Sequence, residues 1–483
     1  MTATKVVGHF GRLWGRGFEI LKDHRIFQVR GQGATPFLQN LVTSDLQQIP
    51  TPPRPEPLGS KRPGVPQKIQ DEPPPTVEFS DVLRSTCFLD QRGRIVTDSL
   101  LWKQDLDNYF IEVPTDAADN LLRHLKQYKL RRSKVDIAEP ADVQSSVIFG
   151  TLSTAGTPPG YLAGLDPRHP SLGLRILRIP EGSADTLSSL LHTAKFPESP
   201  GNYTLVRRLV GVAEGAEITG KTALETNQEQ LQAVSFSKGC YLGQELTARV
   251  QHTGVLRKRI LPCLLLDSQT QVPQPWSLAS SLQEGRQKKK FTASELAELP
   301  SRLPKLSVAA AGNMIAVTTA SVEPASTADV SNEAMEELAA VQKKVSEWLE
   351  TDVAKNCTAG QNMVDTKTGE TVGQIIAPPV PGTNVLLALM RLEAVGLLSP
   401  GVWSKTNKVK VGEAEFRYLP YLPLWMPDLD PSTGKAKEGT DYSDEAMSEE
   451  DAQRHDAQAS KSGGMRIVLE EEPKETEQEK PST

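Results

Sequence analysis

Cysteine is scarce: Cys87, Cys240, Cys263 and Cys357 are the only four in 483 residues, with no CxxC pair and no regular spacing. That excludes a disulfide framework, argues against a self-contained structural zinc site, and makes a reducing compartment the natural home. Aromatic residues are only 5% of the chain while prolines number 36, the mixture expected when a compact body carries polar, proline-rich additions. No run of about 18 apolar residues occurs, so no membrane-spanning helix and no membrane partner are expected. No P-loop, GxGxxG after a strand, HExxH or GxSxG is present, which leaves nucleotide-driven chemistry and the common hydrolase plans without support. Excess charge is also small. The net is −6, and the stretch from Asp428 to Thr483 holds 16 acidic and 7 basic residues, so the other 427 residues stand at +3. A mildly basic body suits an anionic small ligand or an acidic partner but falls short of a nucleic-acid stripe, and no nucleic-acid partner is expected.

What is present centres on KGCYLGQELTARVQHTGVLRKR, residues 238 to 259. Gly239 and Gly243 bracket Cys240 and Tyr241, so the backbone can turn tightly there, and Cys240 is the residue such a turn displays. Lys238 and Arg249 are nearby cations of the kind that favour a thiolate. A displayed thiolate is a nucleophile or a metal ligand; the alternative for a free cysteine is a small buried hydrophobe.

Along the chain, residues 1 to 18 contain Lys5, Arg12 and Arg16 and no acid, the composition of a short mitochondrial targeting segment. IFQVRG (26–31) reads as a strand. GATPFLQNLV (33–42) reads as a helix capped by Thr35, with Pro36 at its first position and Phe37, Leu38, Leu41 and Val42 on one face. Ten prolines between Pro50 and Pro75 mark a solvated inserted loop. Asp90 to Gly93 signal a hairpin, followed by the strand NYFIEV, a helix with Leu121, Leu122, Leu125 and Tyr128 at helical spacing, and the strand KVDIAE. LRILRI, SADTLSSLLHTA and YTLVRRL read as a second strand–helix–strand unit, which with the first makes an α+β body. After RKRILPCLLLD comes an interruption carrying one amphipathic helix, in which Leu338, Val341, Val345 and Trp348 share a face. TGETVGQIIAPP and NVLLALMRLEAV then resume a small β-barrel. The expected organisation is a targeting segment (1–18), a body (19–250, with an insertion at 50–76), a barrel (251–280 and 356–427), an insertion (281–355) and an acidic disordered tail (428–483).

KGCYLGQE (238–245) resembles the signature of the YgfZ/GcvT-like folate-binding family, in particular its mitochondrial iron–sulfur cluster assembly branch. IFQVRGQGATPFLQNLVTSDL, FLDQRGRIVTDSLLW, LRRSKVDIAE, DPRHPSLGLRIL, RLVGVAEGAEITGKTALETN and VGQIIAP are similar to further blocks of that family, in the right order. The resemblance implies an aminomethyltransferase-like body of antiparallel or mixed sheets with packed helices, a small C-terminal β-barrel and a place in the mitochondrial matrix.

By the same resemblance Cys240 is the working residue and a ligand to a transient cluster. One cysteine cannot hold a cluster that takes about four ligands, so an A-type iron–sulfur carrier is the implied partner and [4Fe–4S] apoproteins the recipients. Tetrahydrofolate is the implied cofactor. Glu214 is the first choice for the pterin, because a carboxylate accepts adjacent N–H donors in a bidentate way, with Asp98, Tyr241, Gln244 and Arg249 as further contacts. Asn227, Glu225 and Phe236 are looser candidates, Arg175 shares with Arg249 the task of holding the folate carboxylates, Glu217 reads as a surface acid, and His252 has no assigned role. Aminomethyl transfer, the enzymatic alternative, is weakened because Thr97 stands where those relatives carry the first of two paired aspartates. An RNA-modification factor is a third reading.

Overall fold

The computed structural model describes residues 17–47, 82–149, 159–169, 172–180, 198, 201–252, 254–270, 305–308, 315–318, 353–395, 408–423, 426, 429 and 433–435. The chain divides into two units, Met1–Lys437 and Glu438–Thr483, and every described residue belongs to the first. The proline-rich insertion, the helices expected at 183–194 and 333–350, and nearly all of the targeting segment and the tail lie outside the described residues.

The chain opens with β1 (Gly17–Ile20), β2 (His24–Arg30) and the helix α1 (Ala34–Gln39). Then follow β3 (Leu83–Leu89), β4 (Ile95–Asp105), β5 (Asn108–Pro114), α2 (Thr115–Tyr128) and β6 (Asp136–Ala138). These give a five-stranded sheet in the order β3-β4-β5-β2-β6, with β2 to β6 antiparallel to their neighbours. Leu121 and Leu125 of α2 and Leu38 of α1 pack with Phe27, Phe88 and Ile111 of the sheet, the half-buried arrangement that the alternating strands demand. Thr35 is not a cap. It lies inside α1, its hydroxyl donating to Leu106 O at 2.6 Å and meeting Tyr109 Oη at 2.7 Å, so it ties the helix to the β4–β5 turn.

A second sheet has β7 (Gln144–Phe149), β8 (Tyr161–Leu165) and β9 (Leu174–Arg178) in the order β1-β7-β9-β8. Its Leu177 packs against Leu100, Trp102 and Phe110 of the first sheet. YTLVRRL, expected as a strand, is instead the helix α3 (Asn202–Leu209). Glu19 of β1 explains the difference: its two carboxylate oxygens accept from the N–H groups of Gly201 and Tyr203, both at 2.8 Å, satisfying the first turn of a helix from another element. Tyr203, Val206 and Leu209 fall at helical spacing on the buried side, so a tertiary cap and the three-residue period outweigh the β propensity of Tyr, Thr and Val.

The second half contains α4 (Gln244–His252) and then β10 (Lys258–Asp267), which opens a closed barrel with β13 (Asn362–Asp365), β14 (Thr371–Ala377), β15 (Val385–Arg391), β16 (Lys408–Val411) and β17 (Ala414–Pro420), in the order β10-β15-β14-β13-β16-β17. Closure removes the free edges. Thus both the α+β class and the small C-terminal barrel are present. The insertion also contributes strands: β11 (Lys305–Val308) and β12 (Ile315–Thr318) pair with each other, and β11 runs parallel to β18 (Leu422–Pro423).

Candidate functional site around Cys240

Lys238 is anchored before Cys240 is displayed. Its ammonium donates to Gln39 O and Val42 O at 2.7 Å and to Ser44 O at 2.9 Å, the carbonyls at and just beyond the end of α1, and it lies 5.0 Å from the centre of the Tyr241 ring. Three N–H donors meet three acceptors, so this cation is a tether and not the thiolate-stabilising neighbour expected from its spacing. Burial pulls its ammonium down to about 8, while the three acceptors match the charged form.

On the other side of Cys240 the chain is fixed again. Tyr241 is buried with Cys87, Leu89 and Ile95 of the body and Ile260, Ile376 and Leu387 of the barrel, and burial, followed by Cys87, pushes its phenol up to about 12. The Leu242 N–H donates to Asn40 O at 3.0 Å. Gly243 has φ +78°, and a Cβ there would stand 2.3 Å from Asp90 O; Gly93, in the β3–β4 turn, has φ +75° and would place a Cβ 2.7 Å from Gly243 O. The glycine hairpin and the cysteine loop therefore dock backbone to backbone, which only residues without side chains allow. Gly239 has open space around it. Cys240, held between these anchors, is exposed, whereas Cys87, Cys263 and Cys357 are buried.

Gln244, at the start of α4, accepts from the Tyr241 N–H at 2.8 Å and directs its amide nitrogen to the Cys240 sulfur at 3.9 Å. Cys240 also borders a cavity of about 770 Å³ whose wall includes Phe37, Leu41, Tyr128, Leu130, Arg132 and Lys134. Among the described residues no group of three or more His, Cys, Asp or Glu side chains is placed to hold a metal ion. What the site offers is one accessible, positioned soft ligand beside a cavity.

The acids expected at a pterin come together elsewhere. Asp98 accepts from the Gly215 N–H at 2.7 Å and lies 3.9 Å from the Arg168 guanidinium. Burial, and then the Glu214 carboxylate, push its carboxyl up to about 7. Glu214 has one oxygen bonded to Arg168 and Tyr203, and the other 3.2 Å from Arg207 Nε and 3.8 Å from His24 Nε2. Burial acts to raise this carboxyl, but Arg168, then Arg207 and His24, hold it well below the usual carboxylate range. Cys87 links the two groups, being paired with Asp98 across β3 and β4 and packed with Tyr241.

Several expected roles change. Arg175 is wholly buried, bonded to Glu112 and 4.8 Å from the Tyr203 ring centre, so it cannot present a fork to a ligand carboxylate. Glu217 is no surface acid: it accepts from Arg207 at 2.6 and 3.0 Å and from Arg208 at 2.6 Å. Asn227 bridges Ile260 O and Arg259, and Glu225 accepts from the Thr222 hydroxyl at 2.8 Å. Arg249 and His252 are exposed on α4, and neither lines the cavity; Phe236 is exposed. Sequence reasoning missed Arg168 and Tyr203, which hold Glu214, although Asp166 and Arg168 stand in the DPRH string.

No family model matches the chain. Among curated proteins it is similar to the mitochondrial iron–sulfur cluster assembly factor IBA57 homologues of Pyricularia oryzae, 34% identical over 262 residues (52% of this chain, 58% of the relative), and of Neurospora crassa, 32% identical over 269 residues (52% and 54%). The chain thus spans little more than half the length of these relatives. The homologue from Mycosarcoma maydis is 30% identical over 305 residues, covering 58% of this chain and 67% of the relative. Among solved structures, the glycine cleavage system aminomethyltransferase T of Bartonella henselae is similar at a TM-score of 0.47 and 10% identity, covering 89% of this chain and 91% of that one. With that share of the Mycosarcoma maydis protein matched, the chain belongs to the IBA57 family of mitochondrial iron–sulfur cluster assembly factors.

Proposed function

We propose that this protein is a mitochondrial iron–sulfur cluster assembly factor that supports maturation of [4Fe–4S] proteins. Cys240 supplies one thiolate to a cluster that an A-type carrier completes. The observation that carries this reading is the contrast among the four cysteines: only Cys240 is exposed, and it is held at the apex of a loop pinned on both sides. A soft thiolate is the ligand an iron–sulfur cluster takes, and a single one requires the remaining ligands from a partner. Gln244 adds a donor that can steady the negative sulfur.

The tetrahydrofolate implied by the family has its fit tested at Glu214. Both oxygens of that carboxylate are engaged by Arg168, Tyr203 and Arg207, and one oxygen of Asp98 holds Gly215 N–H. These residues as folded do not fit a pterin on Glu214, and no step of the proposed function passes through folate. Aminomethyl transfer has less support still, because Thr97, at the position of the first paired aspartate, is buried and donates its hydroxyl to Asp98 O, so that position supplies no carboxylate. Anaerobic purification with an A-type carrier, followed by iron and sulfide analysis, tests the reading. A complex with a stoichiometric cluster that depends on Cys240 is expected; a complex that carries the same iron and sulfide with Cys240→Ser overturns it.

A further inference from the structure

We propose that the cavity beside Cys240 binds a small carboxylate-bearing disulfide, gripped by Arg132 and Lys134 and placed for exchange with the Cys240 thiolate. This reading is independent of whether a cluster ever reaches the same sulfur. The cavity, at about 770 Å³, has the size of a small-ligand site. Among the described residues its lining contains cations and amide donors but no Asp or Glu, together with the apolar Phe37, Leu41 and Tyr128. Arg132 and Lys134 belong to a basic run in which Lys129, Arg131, Arg132 and Lys134 fall within six residues. Among the described residues only Lys129 of these four has an acidic partner, Asp136 at 3.5 Å.

This basic run is built into the fold. Lys134 has φ 48°, a conformation that a residue with a side chain rarely adopts. The turn carrying it is seated directly against the start of α1: a Cβ on Gly31 would lie 2.2 Å from Lys134 O, and one on Gly33 would lie 1.8 Å from Ser133 O. Two glycines in the β2–α1 turn thus let the backbone of the 131–134 turn approach, which fixes the backbone that carries Arg132 and Lys134 to the wall of the cavity that Cys240 also lines. Fixed cations at the wall of a concave site raise the local concentration of anions.

In the exchange, the Cys240 thiolate attacks one sulfur of the ligand disulfide. A bond forms between Cys240 and that sulfur, the ligand sulfur–sulfur bond breaks, and the second half leaves as a thiolate that takes up a proton. Cys240 is oxidised and the leaving half is reduced, so the electrons balance with the disulfide as oxidant. The other three cysteines are buried and do not compete.

The test uses the full chain with its thiols reduced and three probes: glutathione disulfide (anionic), bis(2-hydroxyethyl) disulfide (neutral) and cystamine (cationic). Adduct formation is followed by intact mass, each rate being divided by that of a free cysteine amide. The expected order is anionic, neutral, cationic, with about a tenfold spread at low ionic strength that collapses in high salt. Arg132→Gln with Lys134→Asn, asparagine being tolerant of the left-handed conformation, should bring the charged probes to the neutral rate and leave the neutral rate unchanged. Cys240→Ser should give no adduct. Equal normalised rates in the wild type, a spread that survives in high salt or in the double variant, or an adduct on Cys240→Ser overturns the proposal.

Discussion

At Asp98 and Glu214 two carboxyl groups share one buried network and titrate in opposite directions. Asp98 is raised to about 7 from an ordinary 3.8, by burial and then by Glu214. The folded protein therefore holds a proton there that the unfolded chain has released, and stability falls as pH rises from about 4 through 7. Glu214 is depressed, so its contribution is present above its ordinary value and is lost only as pH falls below about 4. Asp98→Asn keeps an oxygen for Gly215 N–H and removes the charge. It should raise the unfolding free energy at pH 8 by an amount on the order of 2 kcal/mol and change it little at pH 5; a higher thermal midpoint at pH 8 but not at pH 5 checks the sign. Lys238 makes a second residue-scale prediction. Lys238→Met leaves three carbonyls without their charged donor and should cost about 2 kcal/mol, read in denaturant unfolding, whereas Lys238→Arg should recover part of it.

At the scale of elements, the cysteine loop works because the hairpin turn at Gly93 and the backbone at Gly243 touch. Gly243→Ala introduces a Cβ 2.3 Å from Asp90 O at a φ of +78°, so the loop must lift from the hairpin. Amide hydrogen exchange over residues 236–252 should accelerate markedly while exchange in the barrel strands stays as it was. The hairpin, α2 and the barrel strands are legible in the sequence because each is specified locally, by a turn glycine or by a period of two or of three to four. The helix α3 is not, because what makes YTLVRRL helical is a carboxylate on Glu19, 182 residues before the capped Gly201. The site divides in the same way. The glycines flanking Cys240 mark a turn that can display it but leave a buried cysteine equally open, and its exposure, like the tether at Lys238, the burial of Arg175 and the pairing of Glu217, depends on partners that only the fold assembles. Removing the cap tests this: Glu19→Gln should destabilise the body by about 1 kcal/mol, the usual worth of a capping carboxylate, measured by denaturant unfolding.

For the whole molecule, the cysteine loop lies where body and barrel meet. Tyr241 is packed among side chains of both, while the next residue back, Cys240, is left exposed. Folding of the two parts therefore fixes the position of one sulfur, and the central claim is that this sulfur is a ligand in cluster assembly. Cys240→Ser keeps the size of the side chain and removes the soft ligand. The most direct measurement is the rate at which a recipient apoprotein acquires its [4Fe–4S] cluster from the A-type carrier in the presence of wild-type or Cys240→Ser protein, with thermal unfolding of both proteins in parallel. The account predicts the same unfolding midpoint and no acceleration by the variant. Wild-type acceleration by Cys240→Ser protein would contradict it.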